Sequence, residues 1–331
     1  MGVADDFSLL ERLGHDFREV KDVYCGPELR TFSDGSWEGY WGEIWKRIPM
    51  GRHGEAVYPD TIHRPFKNIT SVDALDRFRL PSVEWFDYST IKEQCERWSD
   101  YAVTFGNPGH LDLINGVARS RGVEQVLIDI AIEDPVYLAL MDARFKFFYG
   151  RAERALQAGD GFIDIVRVGE DLATQRGLLI SPAKIEKLFV PKYKAYFDMV
   201  HRYGALVMMH SCGSVRALIP RLIEMGLDIL DVVQPTAVGM DIRELAAEFG
   251  DRLCFAGSMC VQTTLPHGTV DDVCREVRLR QELFPDGGLI LGPTHHIQID
   301  TPLENILAMY RCAGSLQELV QPQASQRHHI D

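Results

Sequence analysis

Hydrophobic and polar positions alternate most regularly in the second half of the chain. Phe162 to Arg167 is short, apolar and β-branched, bounded by Gly161 and Gly169, which predicts a buried strand. Ser181-Pro182 then opens a helix, serine as N-cap and proline at its first position, running to about Tyr203 and stopping at Gly204. Further strands are predicted at Ala205–Met209, Leu227–Val233, Leu253–Ala256 and Gly288–Leu291. Helices are predicted at Arg216–Glu224, Asp241–Phe249 and Asp271–Leu283, with Thr301-Pro302 starting the last. Strand and helix recur about every 25–35 residues, the pattern of parallel βαβ units.

The first third is less regular. Strands are expected near Val20–Cys25 and Tyr101–Phe105, and a hairpin or excursion over Trp37–Arg47. Helices are expected over Val123–Ile132 and Pro135–Ala158. About seven barrel strands can be placed; the eighth is not, so closure into a (β/α)8 TIM barrel is an inference. Residues 1–318 read as a single barrel domain, and 319–331 as a frayed polar tail.

Charge narrows the partners. The formal net charge of −13 disfavours nucleic acid, which requires a basic face, and an anionic membrane surface. No run of 18 apolar residues is present, and Met1–Glu19 lacks a signal-peptide core. Seven scattered cysteines suggest a reduced, cytoplasmic protein, with Cys95, Cys254, Cys274 and Cys312 as small core fillers.

In a barrel of this kind functional groups gather at the carboxyl ends of the strands. Four predicted strands end in chemically unusual residues: Gly169-Glu170-Asp171, His210-Ser211-Cys212-Gly213, Gln234-Pro235, and Thr294-His295-His296. Zinc favours thiolate and imidazole and, in catalytic sites, keeps an open position. An isolated His-x-Cys is commonly just a buried thiol beside a core histidine, but a histidine pair at another strand end favours metal. His210, Cys212 and His295 are the expected ligands.

Taken in order, the motifs resemble the uroporphyrinogen decarboxylase superfamily, and most of all its zinc methyltransferases, the methylcobalamin:coenzyme M type. The likeness rests on Gly169-Glu170-Asp171, Gln175, Ile180-Ser181-Pro182, His210-Ser211-Cys212-Gly213, Gly257-Ser258, and His295 through Pro302 with Glu304-Asn305. The resemblance implies a (β/α)8 barrel, a bound zinc ion, and methyl transfer between a small molecule, such as a methyl ether or thiol, and a corrinoid. A separate corrinoid protein is expected to supply the cobalamin, as no carrier module is recognisable in the sequence. Where that pattern has a late cysteine this chain has His295, so the site would carry one negative charge fewer and be a stronger Lewis acid. The decarboxylases' arginine-rich N-terminal motif is missing; Arg18, Arg30, Arg47 and Arg52 are scattered. A decarboxylase-like lyase acting on a carboxylated substrate is the alternative.

Other candidates carry two readings each. Glu170 and Asp171 would serve as a catalytic acid or substrate-orienting group, or else as a solvated strand-to-helix turn. Gln234 would bind substrate or form the turn before Pro235. His296 would support the metal site, serve as an alternative ligand, or bind the substrate. Trp37, Trp41 and Trp45 recur every four residues; aromatics at such spacing ordinarily fill core, and Trp37 is the candidate for a substrate-pocket wall. His267 reads as a turn residue, and His328-His329 as part of the tail.

Overall fold

A computed structural model of the chain describes residues 6–50 and 56–316. Arg52 and the tail expected from 319 lie outside the described residues. Seven parallel strands form one curled sheet: β1 (Phe17–Val20), β2 (Ala102–Leu111), β3 (Ile165–Gly169), β4 (Leu206–His210), β5 (Ile229–Val233), β6 (Cys254–Met259) and β7 (Leu289–Pro293). They pair in chain order, and helices intervene from β2 onward, so the fold is a TIM-type (β/α) barrel.

Alternation along each strand sorts side chains between two cores. Val166 and Val168 of β3, Val207 and Met209 of β4, and Leu230 and Val233 of β5 pack outward under the helices. Ile165, Met208, Ile229 and Ala256 pack together in the barrel interior. Phe17 of β1 and Ile290 of β7 lean on that same interior cluster, so the sheet curls until its two edges face each other. No hydrogen-bonded pairing joins β1 to β7 among the described residues. A cavity of about 520 Å³ lies between the edges, lined by His15–Phe17 on one side and Leu289–Pro293 on the other.

Helices at Val123–Ile132 and Pro135–Gly159 match the sequence pattern, the second capped by Asp134, whose carboxylate accepts from the Val136 and Tyr137 amides. Ser181 caps the following helix, which runs from Pro182 to Arg202 through one π turn at Ile185–Phe189. The strand expected at Val20–Cys25 is divided. Its barrel part is β1, while Val23–Tyr24 pairs antiparallel with Phe86–Asp87. Between them Asp22 makes a two-point ion pair with Arg151 of the long helix, at 2.6 Å for each contact, which draws the chain off the sheet. The excursion is a three-stranded antiparallel sheet of Trp37–Glu38, Ile44–Met50 and Ala56–His63.

One cysteine expectation is corrected: Cys274 and Cys312 are disulfide-bonded rather than free. They join the helices Val270–Leu283 and Leu303–Ala313, whose facing apolar residues Val273, Val277, Ala308 and Met309 bring the thiols together. Cys95 is a buried free thiol as expected, and Cys254 is a half-buried one. No helix among the described residues is long and apolar enough to cross a membrane.

Candidate metal centre

β3, β4 and β5 end side by side, and register decides what meets there. Gly169 pairs with His210, and His210 with Asp231. A side chain at 169 would collide with the Pro108 carbonyl, since an added Cβ would stand 1.6 Å from that oxygen; the glycine lets the end of β2 cross over β3. After His210 the chain turns sharply at Gly213, whose φ of +89° and crowding by the Thr174 and Ala173 carbonyls both demand glycine.

That turn brings the Cys212 sulfur to 3.3 Å from His210 Nε2. Asp171 joins them: its Oδ1 is 3.9 Å from His210 Nε2 and accepts from the Cys212 amide at 2.9 Å. The potential ligand atoms of Asp171, His210 and Cys212 all lie within 4.8 Å of one another. Zinc bonds of about 2.0–2.3 Å in a tetrahedron put ligand atoms roughly 3.3–3.8 Å apart, so this spacing suits one ion. The other face of His210 is fixed, because Nδ1 donates to the Asp231 carboxylate at 2.8 Å and leaves Nε2 aimed at the sulfur. Carboxylate support of this kind is usual for metal-binding imidazoles. Burial works to lower the His210 pKa, but the contacts to Asp231 and Cys212 prevail, and the group is pushed up to about 10.

Two cavities meet at this centre. One of about 850 Å³ reaches Asp171, His210, His295, His296, Arg119 and Arg167. A smaller one of about 250 Å³ lies on the other side of Cys212 and His295, with Gln175, Gln234, Gln262 and Gln298 in its wall.

The expected site residues fall out as follows. His210 and Cys212 are brought together as the sequence suggested. His295 lines both cavities but stands outside the close Asp171–His210–Cys212 group. Asp171, expected as an acid, stands beside that pair. Glu170 is 1% exposed, and its carboxylate accepts from the Leu113 amide at 2.6 Å, the Ile114 amide at 3.0 Å and the Tyr193 hydroxyl at 2.9 Å. Burial and the neighbouring Asp112 charge hold the Glu170 pKa well above the usual range, against those three donors. Gln234 is buried in the smaller cavity's wall, donating to Thr236. His296 lies edge-on to His295 in the larger one. Trp37 pairs across the excursion sheet with Trp45 and is not part of either cavity wall. The excursion contributes Tyr58 instead, and Trp45 lies under Arg119 at 5.6 Å.

Three participants were missed. Asp231, a charged residue inside an otherwise apolar strand, and Arg167, in the middle of another, both broke the hydrophobic pattern and were legible as anomalies. Asn115, whose amide donates to Asp171 Oδ2 at 3.0 Å, comes from the start of a distant helix and gave no signal.

Comparison with known proteins agrees with the barrel and its ordered motifs. The profile described as uroporphyrinogen decarboxylase (URO-D) matches residues 117–316. The chain belongs to that family. Among solved structures it is similar to a methyltransferase from Methanosarcina mazei, at 17% identity and a TM-score of 0.61, covering 93% of this chain and 82% of that one. A D-psicose 3-epimerase matches at 13% identity and a TM-score of 0.41, over 71% and 83% of the two chains. No curated protein sequence matches.

Proposed function

We propose that the protein is a zinc-dependent methyltransferase that moves a methyl group between a small molecule and a corrinoid carried by a partner protein. The observation that carries this reading is the grouping of a thiol, an imidazole and a carboxylate at the barrel's carboxyl rim, with the imidazole held by Asp231. His210, Cys212 and Asp171 would hold the zinc, and His295 would face the position left open. Bound there, zinc supplies Lewis acidity to the heteroatom that gives or receives the methyl group.

The chain's own residues do the rest. Asp231 fixes the His210 ring so that Nε2 would face the metal. Asn115 and the Cys212 amide hold both oxygens of Asp171. Glu170 anchors the Leu113–Ile114 amides and so positions the turn that leads into Asn115. The name of the Methanosarcina mazei structure is in keeping with this activity, but at its low identity it supports the fold alone.

The direct test is elemental analysis together with absorbance spectroscopy of added cobalamin. About one zinc per chain, with corrinoid-dependent methyl transfer, is the expected result. Release of carbon dioxide from a carboxylated substrate by metal-free protein would favour the decarboxylase-like lyase.

A further inference from the structure

Arg167 interrupts an apolar strand at an informative place. Its neighbours Val166 and Val168 pack outward, and Ile165, two residues earlier, packs in the barrel interior. Alternation therefore turns Arg167 into the lumen. It lines both the rim cavity and the cavity between the sheet edges, and it is only partly exposed. Among the described residues its guanidinium has no hydrogen bond and no ion pair.

The carboxylates of the rim cavity are engaged elsewhere. Asp231 holds His210, Asp171 takes Asn115 and the Cys212 amide, and Glu170 takes two amides and a tyrosine. Asp112 accepts from the Asn115 amide and lies 3.8 Å from Arg119. A guanidinium turned into a cavity with no anion beside it is free to take one, and its planar fork matches a carboxylate at two points. Register sets its depth. Arg167 pairs with Met208, while Gly169, two residues on, pairs with His210. At about 3.3 Å per residue the arginine is rooted roughly 7 Å below the metal layer.

We propose that Arg167 binds the carboxylate of the substrate, which enters acid-first and leaves its methyl-bearing end at His210 and Cys212. The substrate class is then a small methylated carboxylic acid. The methyl group of that acid rests on the function proposed above; the carboxylate subsite stands on Arg167 and the cavity alone.

The test is calorimetric titration of the full-length protein with benzoate, its neutral counterpart benzamide, and inorganic phosphate, in the wild type and in R167Q and R167K, with zinc measured in each. Benzoate should bind the wild type at least about tenfold more tightly than benzamide, and R167Q should lose that preference. R167K should keep part of it, and all three proteins should hold equal zinc. Ligand-free R167Q should melt no lower than wild type, since a charge without a partner is removed. Equal binding of benzoate and benzamide, no benzoate binding at millimolar concentration, or a preference that survives R167Q would overturn the inference, as would Arg167-dependent binding of phosphate alone. If zinc is absent while Arg167-dependent benzoate binding is found, the metal reading fails and the carboxylate subsite stands.

Discussion

His210 and Asp231 face each other across adjacent strands, Nδ1 to Oδ2 at 2.8 Å, because β4 and β5 pair these two residues in register. The carboxylate touches only the far side of the ring, so it can be removed without removing a ligand. Asp231→Asn should keep the fold and weaken zinc binding about 10–100-fold, the cost usual for losing such a partner. His210→Ala and Cys212→Ala should lose most of the zinc. Competition titration with a chromophoric chelator checks all three, and unchanged affinity in Asp231→Asn would remove it from the site.

The barrel and the His210–Cys212 pair were legible because both follow from local pattern. Strands, caps and the glycine at 213 are written in consecutive residues, and a His-x-Cys at a strand end is compact. Which residue stands nearest that pair was not. Asp171 and His295 are both at the rim in sequence terms, and only the register of β3 against β4 and the turn at Gly213 decide which one reaches the pair. Glu170 shows the same limit from the other side: adjacent to Asp171, it turns away from the cavity to serve two amides contributed some 56 residues earlier. The division of the first strand depended on an ion pair between Asp22 and Arg151, separated by 129 residues. No window of sequence contains it.

Asp171 and His295 make opposite predictions for metal retention. Asp171→Ala should release most of the zinc, since it removes the third member of the close group. His295→Ala should keep most of it and change the open face of the ion instead. His295→Cys should retain zinc as well, with the thiolate near the same face. Metal content after gel filtration decides between the two residues, and loss of zinc in His295→Ala with retention in Asp171→Ala would make His295 the third ligand.

Glu170 is predicted to matter for stability more than for metal. The amide side chain of Glu170→Gln can direct its oxygen to Leu113 and Tyr193 only by turning its NH2 group against the Ile114 N–H. The Ile114 N–H then faces an NH2 group and keeps only its longer contact, 3.2 Å to the other oxygen, at a cost on the order of 1 kcal/mol. Chemical denaturation of Glu170→Gln should show a loss of this size while zinc content stays at the wild-type level. A neutral substitution would mean that the buried hydrogen bonds do not anchor the turn.

The last prediction concerns pH and a carboxylate remote from the metal. Glu43 is buried in the excursion, beside Trp45 and Arg144, and among the described residues its Oε2 has no hydrogen-bond partner. Burial raises its pKa above the ordinary 4.5, against the pull of nearby backbone groups, Arg144 and Trp45. A carboxyl group whose folded-state pKa is raised stabilises the fold below its unfolded value and loses that contribution as pH rises through the folded value. The native protein should therefore give up stability through this residue as pH rises above the ordinary carboxyl value of 4.5. The amide introduced by Glu43→Gln cannot ionise, yet its oxygen can still accept from the Trp45 indole. Glu43→Gln should melt close to wild type at about pH 4 and above it near pH 7, the gap widening with pH. Thermal melts across that range measure it, and a gap that is constant, or that narrows with rising pH, would show that Glu43 is ionised in the fold at no cost.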